Sequence, residues 1–102
     1  MFGLFKAQTV EDPKGHILQT VATGKGGKIT KALNVFQTCG EALRAEIVQQ
    51  TAYQEITDGV VKLVAYAAHQ DPDPYVKKVA HGLMAARVPL RMQVLQQLTQ
   101  LN

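Results

Sequence analysis

At 102 residues the chain has room for one domain, and a chain of this size buries roughly two-thirds of its unfolded surface, enough for one modest core. Its hydrophobic fraction of 46% is ordinary and its charged fraction of 19% is low; eleven glutamines fill much of the remaining polar surface. A net charge of +3 excludes a histone-like polycation, the single Cys39 excludes an intrachain disulfide, and no apolar run reaches the length of a membrane span.

The charge is unevenly spread. Residues 1–31 carry five lysines against Glu11 and Asp12. Residues 32–70 are net acidic, and no acidic residue follows Asp73. With one cysteine and no secretory signal pattern in Met1–Lys6, a cytoplasmic location is the expectation.

The N-terminal hexapeptide presents Phe2, Leu4 and Phe5. Three placements are open: on the core, on a protein partner, or at a membrane surface. The protein-interaction reading assigns these three residues to a contact site. Asp12-Pro13 then reads as a helix cap followed by a proline at the first helical position, where its fixed φ fits and its missing N–H is not needed. Ile17, Leu18 and Val21 keep helical spacing, and Gly24 supplies a stop, so a helix is predicted over Pro13–Thr23. Its β-branched residues leave a strand at Ile17–Thr23 as the alternative.

Gly24-Lys25-Gly26-Gly27-Lys28 is a flexible basic loop. It fails as a phosphate-binding loop of the nucleotide-hydrolase type. Ala22 stands where that pattern needs glycine, and Ile29 stands where it needs Ser or Thr. A weaker use survives, in which Lys25, Lys28 and Lys31 hold a nucleic-acid phosphate or another anion at the start of the next helix. From Lys28 a helical pattern continues through Ile29, Leu33, Phe36, Leu43 and Ile47 to about Ile56. Thr38-Cys39-Gly40-Glu41 matches a capping box, so two helices meeting at Thr38–Gly40 are favoured over one bent helix.

Asp58-Gly59 marks the next break, with Asp58 as the expected cap of a helix to about Gln70 and Lys62 placed to pair with it. Asp71-Pro72-Asp73-Pro74 is the clearest punctuation in the chain. Each proline pushes the preceding aspartate to extended geometry, and Asp73-Pro74 repeats the cap-plus-proline grammar. A helix follows over Pro74–Arg87, with Val76, Val79, Ala80, Leu83 and Ala86 on its apolar side. Pro89 interrupts the pattern. A last amphipathic helix, Leu90–Leu101, puts Leu90, Val94, Leu98 and Leu101 on one face and Gln93, Gln96, Gln97 and Gln100 mostly on the other.

These elements predict a single all-α domain over residues 1–102, a compact bundle of five or six short helices. Asp71 to Ala80, with Leu83, resembles the opening of the second helix in HEAT repeats, which often begins with Asp-Pro, then Val and a basic residue, then Ala. The resemblance implies a HEAT-like helical hairpin at 58–87, of the kind that stacks into protein-binding scaffolds.

Candidate chemistry is sparse. His16, His69 and His81 lack metal-ligand spacing, and no metal or cofactor is expected. Cys39 has no orienting partner in sequence and reads as a small half-buried residue. Glu41, Glu46, Glu55 and Asp58, with Arg44 and Lys62 in reach, read as a solvated face rather than an acid–base pair. The chain is therefore expected to be a non-enzymatic protein-interaction module that self-associates into a homo-oligomer. The alternative is a nucleic-acid binder using Lys25, Lys28, Lys31, Lys77, Lys78, Arg87 and Arg91. In that reading a helix-turn-helix would place Arg91, Gln93, Gln96 and Gln97 on the recognition face, although Met84 stands where the turn glycine belongs.

Overall fold

A computed structural model describes residues 12–101. They form α1 (Pro13–Thr23), α2 (Gly27–Thr38), α3 (Glu41–Gln50), α4 (Asp58–Gln70), α5 (Pro74–Ala86) and α6 (Val88–Leu101), with one 3₁₀ turn, Thr51–Tyr53, closing α3. No strand occurs among the described residues, and α1 is the helix predicted over Pro13–Thr23. Phe2, Leu4 and Phe5 lie outside the described residues.

Both Asp-Pro caps form. Asp12 Oδ1 accepts from the Gly15 amide at 3.1 Å, and Asp73 Oδ2 accepts from Tyr75 and Val76 at 3.0 and 3.1 Å. Each satisfies amides that have no partner inside the first turn. Gly24 ends α1 with its amide on the Thr20 carbonyl, at a φ of −80°. Glycine suits this position for closeness: a Cβ there would sit 2.7 Å from the Thr20 oxygen. The left-handed residue is Gly26, at φ 56°, which leads into α2.

Several expected boundaries shift. α3 ends at Gln50, with its 3₁₀ turn reaching Tyr53, rather than near Ile56. The break between α2 and α3 is present, but the capping box is not. Thr38 is still helical, so its hydroxyl donates back to the Val35 carbonyl at 2.7 Å, and Gly40 precedes α3 without a side-chain cap. Thr57, not Asp58, caps α4, accepting from the Val60 amide at 3.2 Å; Asp58 is the first helical residue, 3.9 Å from Lys62 Nζ. α6 begins at Val88 rather than Leu90, because Pro89 falls in the first turn, where a proline breaks no helical hydrogen bond.

Packing is layered. α3 lies on α5, α4 lies on both α5 and α6, and α1 packs across α2, α3 and α4. Arg44, early in α3, bonds Asp71 just before α5; Arg87, just past α5, bonds carbonyls just past α3. The two helices therefore run in the same direction. α4 and α5 pack on one another across the short linker at 71–73.

α4 is the centre of the stack. Gly59, Val60, Val61, Leu63, Val64, Ala65, Ala67 and Ala68 are buried, an apolar surface running most of the way round the helix. α1 crosses its start closely enough that a Cβ on Gly59 would lie 2.3 Å from the Val21 oxygen. The Thr57 hydroxyl donates to that same oxygen at 2.5 Å, which fastens the crossing. Phe36 from α2 meets the Tyr66 ring edge-on, centroids 6.0 Å apart. Met84, outside the expected apolar positions of α5, is buried, whereas Ala86 is exposed.

Candidate interaction surface

α6 carries apolar groups on two sides. Leu90 and Val94 are fully buried. Val88, Met92 and Leu95 lie on another side and are 60%, 67% and 45% exposed. Isolated exposed apolar residues are normal, but three on one helix face form a stripe, which is the usual mark of a contact surface. The sequence carries this signal as the spacing Val88, Met92, Leu95, which the inward leucine pattern obscures.

The start of α6 is held by Arg87. Its Nη1 donates to the Thr51 and Gln54 carbonyls at 3.1 and 3.0 Å. These bonds satisfy carbonyls at the end of α3 and its 3₁₀ turn, and bring that turn beside α6. The turn carries Tyr53, which is 86% exposed.

A second constellation ties α3 to the α4–α5 linker. Asp71 is buried and accepts from Arg44 Nε and Nη2 at 2.9 and 3.2 Å and from the Asp73 amide at 2.9 Å. Arg44 Nη1 donates to the Cys39 carbonyl at 2.6 Å. Arg44 is thus buried and does not belong to the solvated face expected for it. The hydrogen bonds that Arg44 donates to the Asp71 carboxylate hold its guanidinium above the usual arginine range. Desolvation pushes the Cys39 thiol up, and burial does the same to the Tyr66 phenol. Neither group is poised to ionise near neutral pH. On the surface Lys14 pairs with Glu46 at 2.8 Å, which raises the lysine.

The basic residues fall into separate groups. Lys25, Lys28 and Lys31 are exposed around the α1–α2 turn and enter no ion pair among the described residues. Lys28 and Lys31 are one turn apart on α2. Lys77 and Lys78 lie near the start of α5, with Lys78 exposed and Lys77 half-buried. Arg87 is at the far end of that helix, about 14 Å away along its axis, and is engaged as described. Arg91 is exposed on α6.

A shallow groove of about 230 Å³ runs between α2, α4 and α6, lined by Leu33, Lys62, Ala65, Tyr66, Gln70 and Gln97. It is smaller than a typical ligand pocket, and its lining gathers no carboxylate, thiol or imidazole. Among the described residues no group of His, Cys, Asp and Glu is placed to hold a metal, and no helix is long and apolar enough to cross a membrane. Comparison with protein-family models, curated proteins and solved structures finds no match to this chain.

Proposed function

We propose that the chain is a non-enzymatic helical interaction module that joins protein partners, its own copies included, through the outward side of α6. The observation that carries this is the stripe of Val88, Met92 and Leu95, exposed while Leu90 and Val94 of the same helix are buried. The low charge around it favours the reading: Arg91 is the only charged residue in α6, and the other exposed polar groups there are mainly glutamines. Such a surface is desolvated at little electrostatic cost. A cytoplasmic setting fits the single, half-buried Cys39. The test is the paired substitution Met92→Glu and Leu95→Glu, compared with the parent chain by light scattering for self-association and by affinity capture from the native source. A parent that neither self-associates nor captures anything the paired variant fails to capture refutes the proposal.

The second reading, nucleic-acid binding, is favoured by Lys25, Lys28 and Lys31, exposed and outside every ion pair among the described residues. Residues 13–40 contain four lysines and no acidic residue. Binding through this end of the molecule weakens steeply with salt, and Gln at all three lysines removes it. Unchanged affinity in that triple variant rejects the loop as the contact.

A further inference from the structure

We infer that α6 pairs with α6 of a second copy of this chain, antiparallel across a two-fold axis between Met92 and Leu95, an inference that rests on the interaction reading above. Val88, Met92, Leu95 and Thr99 are spaced four, three and four residues apart, and all four are exposed. That alternation is the one with which two helices interlock side chains along a shared seam. Thr99 turns its hydroxyl back to the Leu95 carbonyl at 2.9 Å, so its polar group is already satisfied. α4 shows how this fold treats a helix that is apolar on more than one side: its neighbours cover it. On α6 the second such side is open among the described residues.

Charge selects a second copy as the occupant. α6 has Arg91 as its sole charge, and no acidic residue follows Asp73. A basic partner helix would add repulsion at Arg91, and an acidic one would find a single cation for its several charges. A second α6 offers the same apolar seam with amide flanks. In the antiparallel pair Val88 faces Thr99 and Met92 faces Leu95. Arg91 comes level with Gln96 of the other copy, whereas a parallel pair would bring the two Arg91 residues level. The antiparallel pair also opposes the two helix dipoles. The seam runs about 17 Å from Val88 to Thr99, so the interface is small, in the size class of weak and transient contacts. The dimer is accordingly weak, with half-association in the micromolar range.

The test is sedimentation velocity from about 5 to about 500 µM, a span that brackets such an affinity. The mass should climb from 11.1 kDa toward twice that value. Met92→Glu with Leu95→Glu should weaken association at least about tenfold while the helical circular dichroism is unchanged, since both side chains are exposed. Orientation is read in a Cys39→Ser background by mixing a Val88→Cys protein with a Thr99→Cys protein under oxidising conditions. The antiparallel pair yields the mixed disulfide between the two; a parallel pair yields each protein's own homodisulfide. A monomer throughout overturns the inference and leaves α6-dependent capture of another protein as the test of the broader reading. A dimer indifferent to the glutamate pair overturns the seam alone, and homodisulfides overturn the antiparallel order.

Discussion

Replacing Asp71 with alanine should damage this fold more than any surface change. The carboxylate is buried and accepts three hydrogen bonds, two from Arg44 and one from the Asp73 amide. Its removal leaves a guanidinium whose side chain is 10% exposed, still bonded to the Cys39 carbonyl but without an anion. Breaking a buried pair from one side costs about 3–5 kcal/mol, because the remaining charge stays desolvated. A domain of this size has about 5–15 kcal/mol in total, so the variant stands near the edge of folding. Arg44→Met, which keeps the aliphatic stem but leaves Asp71 charged, should cost a similar amount. The double variant removes both charges and should cost about 2 kcal/mol or more below the sum of the singles. Urea unfolding followed at 222 nm reads all three, each midpoint shifting at constant slope. A cost below about 1 kcal/mol for Asp71→Ala, or strict additivity in the double variant, would refute the assignment of this pair as the tie between α3 and the α4–α5 linker.

Two glycines give opposite expectations. Gly59→Ala drives a Cβ to 2.3 Å from the Val21 oxygen and 2.6 Å from its Cα, so α1 must retreat from α4; the loss should exceed about 2 kcal/mol despite alanine's better helix propensity. Gly82→Ala meets nothing within 4 Å and should stabilise α5 by about 0.5–1 kcal/mol; equal melting temperatures for the two variants would contradict the geometry. Asp73→Ala removes the acceptor for two amides of α5 and should cost about 1 kcal/mol by urea unfolding; no change would mean that the cap is dispensable. The folded state holds the Cys39 and Tyr66 protons above their ordinary values, so their contribution to stability is full at pH 8 and is lost as pH rises through the thiol and phenol ranges, about 9 to 11. Tyr66→Phe and Cys39→Ser should flatten that alkaline decline; a decline unaltered by both points to other groups.

Much of the fold is legible where the chain announces itself locally. Asp12-Pro13 and Asp73-Pro74 fix two helix starts, because the cap and the proline act within one turn of their own backbone. Thr57 escapes notice because Asp58 beside it is an equally good acceptor; what decides between them is that the Thr57 hydroxyl also reaches the Val21 carbonyl, 36 residues away in sequence. Arg44 and Asp71 are separated by 27 residues, and each has a plausible local use, as a surface charge and as a cap. Only the parallel stacking of α3 on α5 brings them together. The outward stripe of α6 is readable in the spacing of Val88, Met92 and Leu95. It is easily missed because Leu90, Val94 and Leu98 already supply an apolar face, and a helix with two such faces looks, in sequence, like one with a single broad one.

The layering also sets a gradient of opening. α4 is enclosed, so its central amides should exchange with solvent only when the whole domain unfolds, whereas the last turn of α6, at the end of the described chain, should fray locally. Native-state hydrogen exchange should therefore be slowest in Leu63–Ala67 and fastest, among the helices, in the last turn of α6. A partner seated on the outer side of α6 would narrow that difference, so that exchange in α6 reports protein concentration.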